Sequence, residues 1–185
     1  MEDLHGVKYF SLKMVNKFVE ENENNPKVAK DLMKLIFSED DNLSMRASWT
    51  LQHLSFKKPK VINPLIPDLI KFLKKKNQHT GSIRNVIRIF QEIELPEKYC
   101  SEIFDICLKY AKNAGMPHAV RVFSIYVLTK ICVMYPELKY EVELILSELK
   151  EHPQPPSLVA CIRTTTKTLL KLERAAFNTS KKQKH

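Results

Sequence analysis

The most constraining feature of the sequence is a motif that returns at a nearly constant interval. An apolar residue followed by arginine opens four segments of helical periodicity, and successive arginines lie 38, 37 and 42 residues apart. The four arginines are Arg46, Arg84, Arg121 and Arg163. Each motif follows another amphipathic segment after a short turn, so the repeating unit is a pair of helices. Such a pair cannot bury its apolar stripe alone, and the sequence therefore predicts four pairs that stack on one another.

Helices are predicted along almost the whole chain. Apolar residues recur at i, i+3, i+4 and i+7, and no comparable stretch alternates with period two. The chain has only three glycines, whereas β-sandwiches and nucleotide-binding α/β folds use glycine in tight turns and phosphate loops. Ser157, after two prolines, is expected to cap the last helix. The predicted helices cover roughly 7–21, 26–38, 42–55, 64–76, 80–94, 96–113, 117–134, 136–151 and 157–175, with a short turn near 59–63.

These patterns predict an all-α fold of about nine helices, in four stacked pairs plus an N-terminal helix. Residues 1–175 are expected to form this single domain, and 176–185 a basic, flexible tail. The four cysteines lie in apolar helical runs without a Cys-x-x-Cys pair and are expected to be buried free thiols. No uncharged apolar run approaches 18 residues, and the histidines lack metal-ligand spacing. We therefore expect a cytoplasmic protein without a membrane span, metal or cofactor.

Several phrases of the sequence resemble a known family. They are Met45-Arg46-Ala47-Ser48-Trp49, Arg84-Asn85-Val86-Ile87-Arg88-Ile89, Ala119-Val120-Arg121-Val122-Phe123 and Tyr135-Pro136-Glu137-Leu138. With the repeat over residues 26–173, they are similar to HEAT-repeat superhelices, and to a family of small bacterial HEAT-like proteins whose members have often carried the name adenylosuccinate lyase. The resemblance implies that the helix pairs stack into a right-handed α-α superhelix, a HEAT-like solenoid, and it implies no particular chemistry. Adenylosuccinate lyases resemble one another in a loop with a Met-Pro-x-Lys-x-Asn-Pro core and in chains more than twice this length. This sequence has neither feature, so we reject lyase activity and expect no enzyme.

A polar stripe on the fifth predicted helix is the best candidate for a binding site. Arg84, Arg88 and Gln91 follow one another at i, i+4 and i+7, and Asn85 lies beside them. The resemblance implies that second helices of HEAT pairs line the concave surface, where partners usually bind. Planar guanidinium groups suit carboxylates and phosphates because they donate two parallel hydrogen bonds. The stripe is therefore predicted to contact a partner.

The repeat arginines also have a structural interpretation. In HEAT units the equivalent arginine usually ties one repeat to its neighbour, which the resemblance implies for Arg46, Arg84, Arg121 and Arg163. The usual aspartate, about six residues earlier, is present only in the first unit, as Asp40 or Asp41. Arginines without that aspartate are candidates to face a ligand instead. Both roles stay open, and Arg121 and Arg163 join the predicted contacts.

The formal charge of +9 favours an anionic partner. Our primary hypothesis is a non-catalytic scaffold that binds an acidic protein segment on its concave face. The alternative is non-specific binding of a nucleic-acid phosphate backbone by the lysines of 57–76 and the tail. No aromatic residues are interleaved with those lysines, and Trp49 is expected in the core or a groove wall. A HEAT-like DNA glycosylase is a further alternative, but the candidate lining helices offer Glu92 and Glu94 at one end only, and 117–134 and 157–172 contain no carboxylate for that chemistry.

Overall fold

The computed structural model describes residues 10–182, apart from the side chains of Pro26 and of residues 175–182. Within that range the chain forms nine α-helices, two 3₁₀ segments and no strand, so the predicted all-α class is confirmed. The helices are α1 (Leu12–Asn22), α2 (Pro26–Ile36), α3 (Asp41–Lys57), α4 (Ile66–Lys74), α5 (Thr80–Glu92), α6 (Glu97–Lys112), α7 (His118–Met134), α8 (Lys139–Lys150) and α9 (Pro156–Lys182). The 3₁₀ segments are Pro59–Leu65, before α4, and Pro136–Leu138, before α8.

Side-chain caps fix the starts of the early helices. Asn25 Oδ1 accepts a hydrogen bond from the backbone N–H of Lys27 at 3.1 Å, where α2 begins. Asp40 Oδ1 accepts from the backbone N–H groups of Asn42 and Leu43 at 2.9 and 3.2 Å, where α3 begins. These bonds satisfy amide groups that the first turn of a helix leaves without an intrahelical acceptor. Asp40 is therefore the N-cap of α3, the helix that begins at the next residue.

The last helix differs from its predicted bounds. Ser157 does not cap it, because α9 begins one residue earlier, at Pro156. The carbonyl of Pro155 accepts from the backbone N–H groups of Leu158 and Val159 at 3.0 and 3.1 Å. Proline suits the first helical position because its missing N–H would have no partner there. The backbone of α9 continues as helix to Lys182, beyond the predicted end at 175.

The chain divides into two compact units between Tyr99 and Cys100. In the first unit, α3 packs along α5, α2 contacts α3 and α4, and α1 packs on α3. In the second unit, α7 packs along α9, and α8 contacts both of them. Second helices of successive pairs thus contact each other within each unit, as stacked helix pairs require. The single domain over 1–175 and the flexible tail over 176–185 stay predictions.

The interface between α3 and α5 combines an apolar centre with small polar side chains. Leu51 of α3 and Ile87 of α5 are fully buried. Ser44 Oγ of α3 donates to the carbonyl of Ile36 at 2.7 Å and lies 3.0 Å from Ser82 Oγ of α5. Ser44 and Ser82 are 38 residues apart, which is also the interval between the first two motif arginines. Equivalent positions of two repeats therefore contact each other directly.

We expect Asp40→Ala to lower the free energy of unfolding by about 1 kcal/mol, because two amide groups lose their acceptor. The neighbouring exposed Glu39 makes no such bond, so Glu39→Ala should change stability by less than about 0.5 kcal/mol. Denaturant unfolding followed by circular dichroism measures both variants. Equal stabilities of the two variants would contradict the capping role of Asp40.

Candidate functional site

A row of aromatic side chains lies along α3 in the first unit. The ring centroids of Phe10 and Trp49, of Trp49 and His53, and of His53 and Phe56 are each 5.7 Å apart. We call these four residues the aromatic row. Phe56 is 40% exposed, and Trp49 and His53 are half-buried, so the row faces solvent along part of its surface. The row is not among the predicted features, although the i, i+4, i+7 spacing of its α3 members is visible in the sequence.

Arginines lie over the rings at both ends of the aromatic row. The guanidinium carbon of Arg46 is 5.7 Å from the ring centroid of Phe10, and that of Arg88 is 5.8 Å from the ring centroid of Phe56. These distances allow cation–π attraction. Arg88 Nη2 also lies 3.7 Å from Glu92 Oε1, with both side chains more than a third exposed. An exposed pair of this kind contributes about 1 kcal/mol or less, so another carboxylate can replace Glu92 at little cost.

Asn85 has a different role from the predicted contact. It is fully buried, and its Nδ2 donates to Ser48 Oγ at 3.0 Å and to the carbonyl of Met45 at 3.4 Å. Its Oδ1 accepts from Nε and Nη2 of the exposed Arg84, at 3.3 and 3.1 Å. Asn85 therefore links α3 to α5 and orients Arg84, and it presents no surface of its own to a partner. We call the surface formed by the aromatic row, Arg46, Arg84 and Arg88 the α3–α5 face.

The other predicted contacts lie in different surroundings. Gln91 is half-buried on α5, in the first unit with Arg84 and Arg88. Arg121 belongs to the second unit, is only 6% exposed, and its Nε donates to the carbonyl of Ala111 at 3.1 Å. Burial lowers the pKa of Arg121. This bond joins the last turn of α6 to α7, the two helices of one pair, whereas the structural interpretation expects a tie between neighbouring repeats. Arg163 is exposed on α9, also in the second unit.

The lysine-rich stretch 57–76 does not form one continuous cationic edge. Lys57 Nζ lies 3.2 Å from Glu20 Oε1, and Lys58 Nζ lies 3.4 Å from Glu23 Oε1, so both lysines pair with the end of α1. The lysines of α4 border a separate groove against α2. The charge of this stretch is therefore divided between two surfaces.

The four cysteines are free and buried, as predicted. Burial raises the pKa of Cys132 to about 12 and that of Cys161 to about 11. These thiols are therefore protonated at neutral pH, whereas the thiolate is the nucleophile and metal ligand. Among the described residues, no three His, Cys, Asp or Glu side chains are grouped to hold a metal ion. No helix within 10–182 has both the length and the apolar character needed to cross a bilayer.

The sequence matches the family model of the HEAT repeat domain over residues 6–169, which includes all four motif arginines. The chain belongs to the HEAT repeat family. This membership confirms the predicted HEAT-repeat fold. No curated protein and no solved structure matches the chain. HEAT repeats generally mediate protein interactions, so the family indicates an interaction scaffold in general terms.

We expect the pKa of His53 to lie below 6.5, because burial and, to a smaller extent, the charge of Arg88 disfavour its protonated form. The folded chain then binds this proton less tightly than the unfolded chain, so His53 lowers stability as the pH falls below about 6.5. An NMR titration of the imidazole measures the pKa. In Arg88→Gln the pKa should rise part of the way and stay below 6.5, whereas an unchanged value would contradict the contribution of Arg88.

We expect Asn85→Ala to lower the free energy of unfolding by about 1–3 kcal/mol, because a buried amide loses its bonds to α3. Asn42→Ala is the matched control, since Asn42 is exposed and should contribute less than about 0.5 kcal/mol. Denaturant unfolding measures both changes. A variant at Asn85 as stable as the parent chain would contradict its role in joining α3 to α5.

Proposed function

We propose that this protein is a non-catalytic interaction module whose α3–α5 face binds an acidic segment of a partner protein. One observation carries the proposal: arginines lie over the rings at both ends of a partly exposed aromatic row. Tryptophan, tyrosine and arginine dominate the binding energy of protein interfaces, because they bury large areas and still form directed polar bonds. Such a surface favours recognition of a protein segment over a uniform attraction to negative charge.

The arrangement indicates what that segment contains. Arg84 and Arg88 lie one turn apart on α5, and a guanidinium group binds a carboxylate through two parallel hydrogen bonds. The exposed ring of Phe56 lies next to Arg88, and the partly exposed Trp49 continues the same apolar row through His53. We infer that the segment carries Asp or Glu near a large apolar side chain. Gln91, and Arg163 in the second unit, stay candidate contacts.

The surroundings of the α3–α5 face support binding over catalysis. One acid that pairs with the face is Glu92, which lies beside Arg88 at the end of α5. Glycosidic bond cleavage needs a carboxylate next to the sugar, whereas Glu92 lies at one end of this face, in an ion pair with Arg88. The resemblance to proteins named adenylosuccinate lyase adds no catalytic residues for the lyase reaction either. We propose a scaffold and not an enzyme.

Non-specific nucleic-acid binding is the second candidate, because aromatic rings beside arginines also stack bases. The two candidates differ in their response to salt and to single substitutions. A phosphate backbone gives an affinity that falls steeply and log-linearly with salt, spread over many contacts. A protein segment gives a weaker salt dependence and a large effect of one central arginine.

The test uses the full chain to select peptides from a random library, followed by affinity measurements on the selected peptides. We expect the selected peptides to combine acidic and large apolar residues, and Arg88→Ala to weaken their binding by roughly tenfold or more. The affinity of Arg88→Lys for these peptides should lie between those of the parent chain and of Arg88→Ala, because lysine keeps the charge without the planar group. Arg174→Ala, at an exposed arginine of α9, is the control and should change affinity by less than about twofold.

Two outcomes would contradict the proposal. One is a set of selected peptides that bind Arg88→Ala as tightly as the parent chain. The other is tight binding of a single-stranded oligonucleotide with a steep salt dependence and little effect of Arg88→Ala, which would favour the second candidate. A chain that binds neither DNA nor RNA at low salt excludes that candidate.

A further inference from the structure

A second surface of the first unit is an open groove of about 850 Å³. One wall of the groove is α2, and the other is formed by the end of the 3₁₀ segment together with α4. Its floor is apolar and is formed by Met33, Phe37, Pro64 and Leu65. The ring of Phe37 packs edge-on against that of Phe72, with centroids 5.7 Å apart, so the floor is anchored to the core. None of these residues belongs to the α3–α5 face.

Lysines border this floor on both sides. Lys30 and Lys34 lie one turn apart on α2, and Lys71 and Lys74 lie one turn apart on α4. All four are exposed. The full set of charged lining residues is Lys30, Lys34, Lys71, Lys74, Lys75 and Asp68. With five cations against one acid, we call this surface the lysine-rimmed groove.

Helix ends alone do not account for these lysines. Lys34, Lys71 and Lys74 lie in the last turns of their helices, where a cation is favoured by the helix dipole. Lys30 lies in the middle of α2, too far from its end for that effect. The exposed Lys34 also pairs with Asp31 at 3.0 Å, and an exposed pair at this spacing adds little. All of these lysines border the apolar floor, whereas only some of them lie at the end of a helix.

We propose that the lysine-rimmed groove binds an amphipathic α-helix of a partner protein, with carboxylates one turn apart on either side of its apolar stripe. A helix of this kind places apolar side chains on the floor and its acidic residues opposite the two rows of lysines. A nucleic-acid backbone would satisfy the lysines but leave the floor without an apolar partner. The groove is open to solvent, whereas small-molecule sites usually enclose most of their ligand, and this favours a helix as the occupant.

The experiment uses the full chain and a labelled synthetic peptide of about 20 residues, long enough to form a helix. Leucines at i, i+3, i+4 and i+7 form one stripe, and glutamates border it on both sides. One control peptide has the same composition in scrambled order, and a second has alanine in place of every leucine. Fluorescence anisotropy at physiological salt should show binding of the first peptide and at least roughly tenfold weaker binding of both controls.

Two charge-matched double variants locate the binding. Lys30→Glu with Lys71→Glu reverses one charge on each side of the groove and should weaken binding by roughly tenfold or more. Lys27→Glu with Lys60→Glu makes the same change in net charge at exposed residues of the same region that do not line the groove. This control should weaken binding by less than about threefold, since long-range attraction is screened by salt. Circular dichroism compares the helix content of the two variants.

Several results would overturn this proposal. They are equal weakening by the two double variants, equal binding of the scrambled peptide, and tighter binding of a duplex oligonucleotide or of phosphatidylglycerol vesicles than of the helical peptide. The proposed function of the α3–α5 face is tested separately. Peptides that depend on Arg88 should bind the groove variant unchanged, so either surface can fail without the other.

Discussion

The first unit depends on the packing of α3 against α5. Ser48 presents a small, fully buried side chain to this contact, 3.0 Å from Asn85 of α5, which lets the two helices approach closely. Because α3 also packs against α1 and α2, only a narrow strip of its surface reaches solvent. Trp49, His53 and Phe56 occupy that strip. The aromatic row is therefore a consequence of how α3 is buried on its other sides.

The polar bonds within this contact determine its register more than its strength. A net hydrogen bond contributes about 1 kcal/mol, but an unpaired buried group costs about 1–3 kcal/mol. A shift of α5 along α3 by one turn would separate Ser44 from Ser82. It would also take the buried Asn85 Nδ2 away from both of its acceptors on α3, Ser48 Oγ and the carbonyl of Met45. Asn85 also orients Arg84. The stacking of the repeats thus determines where one arginine of the proposed binding face points.

Much of the fold follows from local pattern, and much of the site does not. Helical periodicity and the arginine interval predict the helix pairs, and the fifth helix, expected over 80–94, is observed over Thr80–Glu92. The burial of Asn85 depends on a serine 37 residues earlier, which no periodicity on α5 reveals. The lysines of 57–76 look continuous in sequence, but the 3₁₀ segment Pro59–Leu65 separates α3 from α4. That segment divides the charge of these lysines between two surfaces. A count of charges along the chain therefore does not predict where either surface lies.

The two surfaces of the first unit differ in the kind of cation that they use. At the α3–α5 face, Arg46 and Arg88 lie over aromatic rings, which suits the weakly hydrated, planar guanidinium group. At the lysine-rimmed groove, compact and strongly hydrated ammonium groups stand beside an apolar floor, where the methylene stems of lysine extend the apolar surface. The arrangement of its acidic residues, more than its net charge, would therefore determine which of the two surfaces an acidic partner binds. The groove suits acids set in rows along a helix, whereas the face suits acids beside an aromatic or aliphatic anchor.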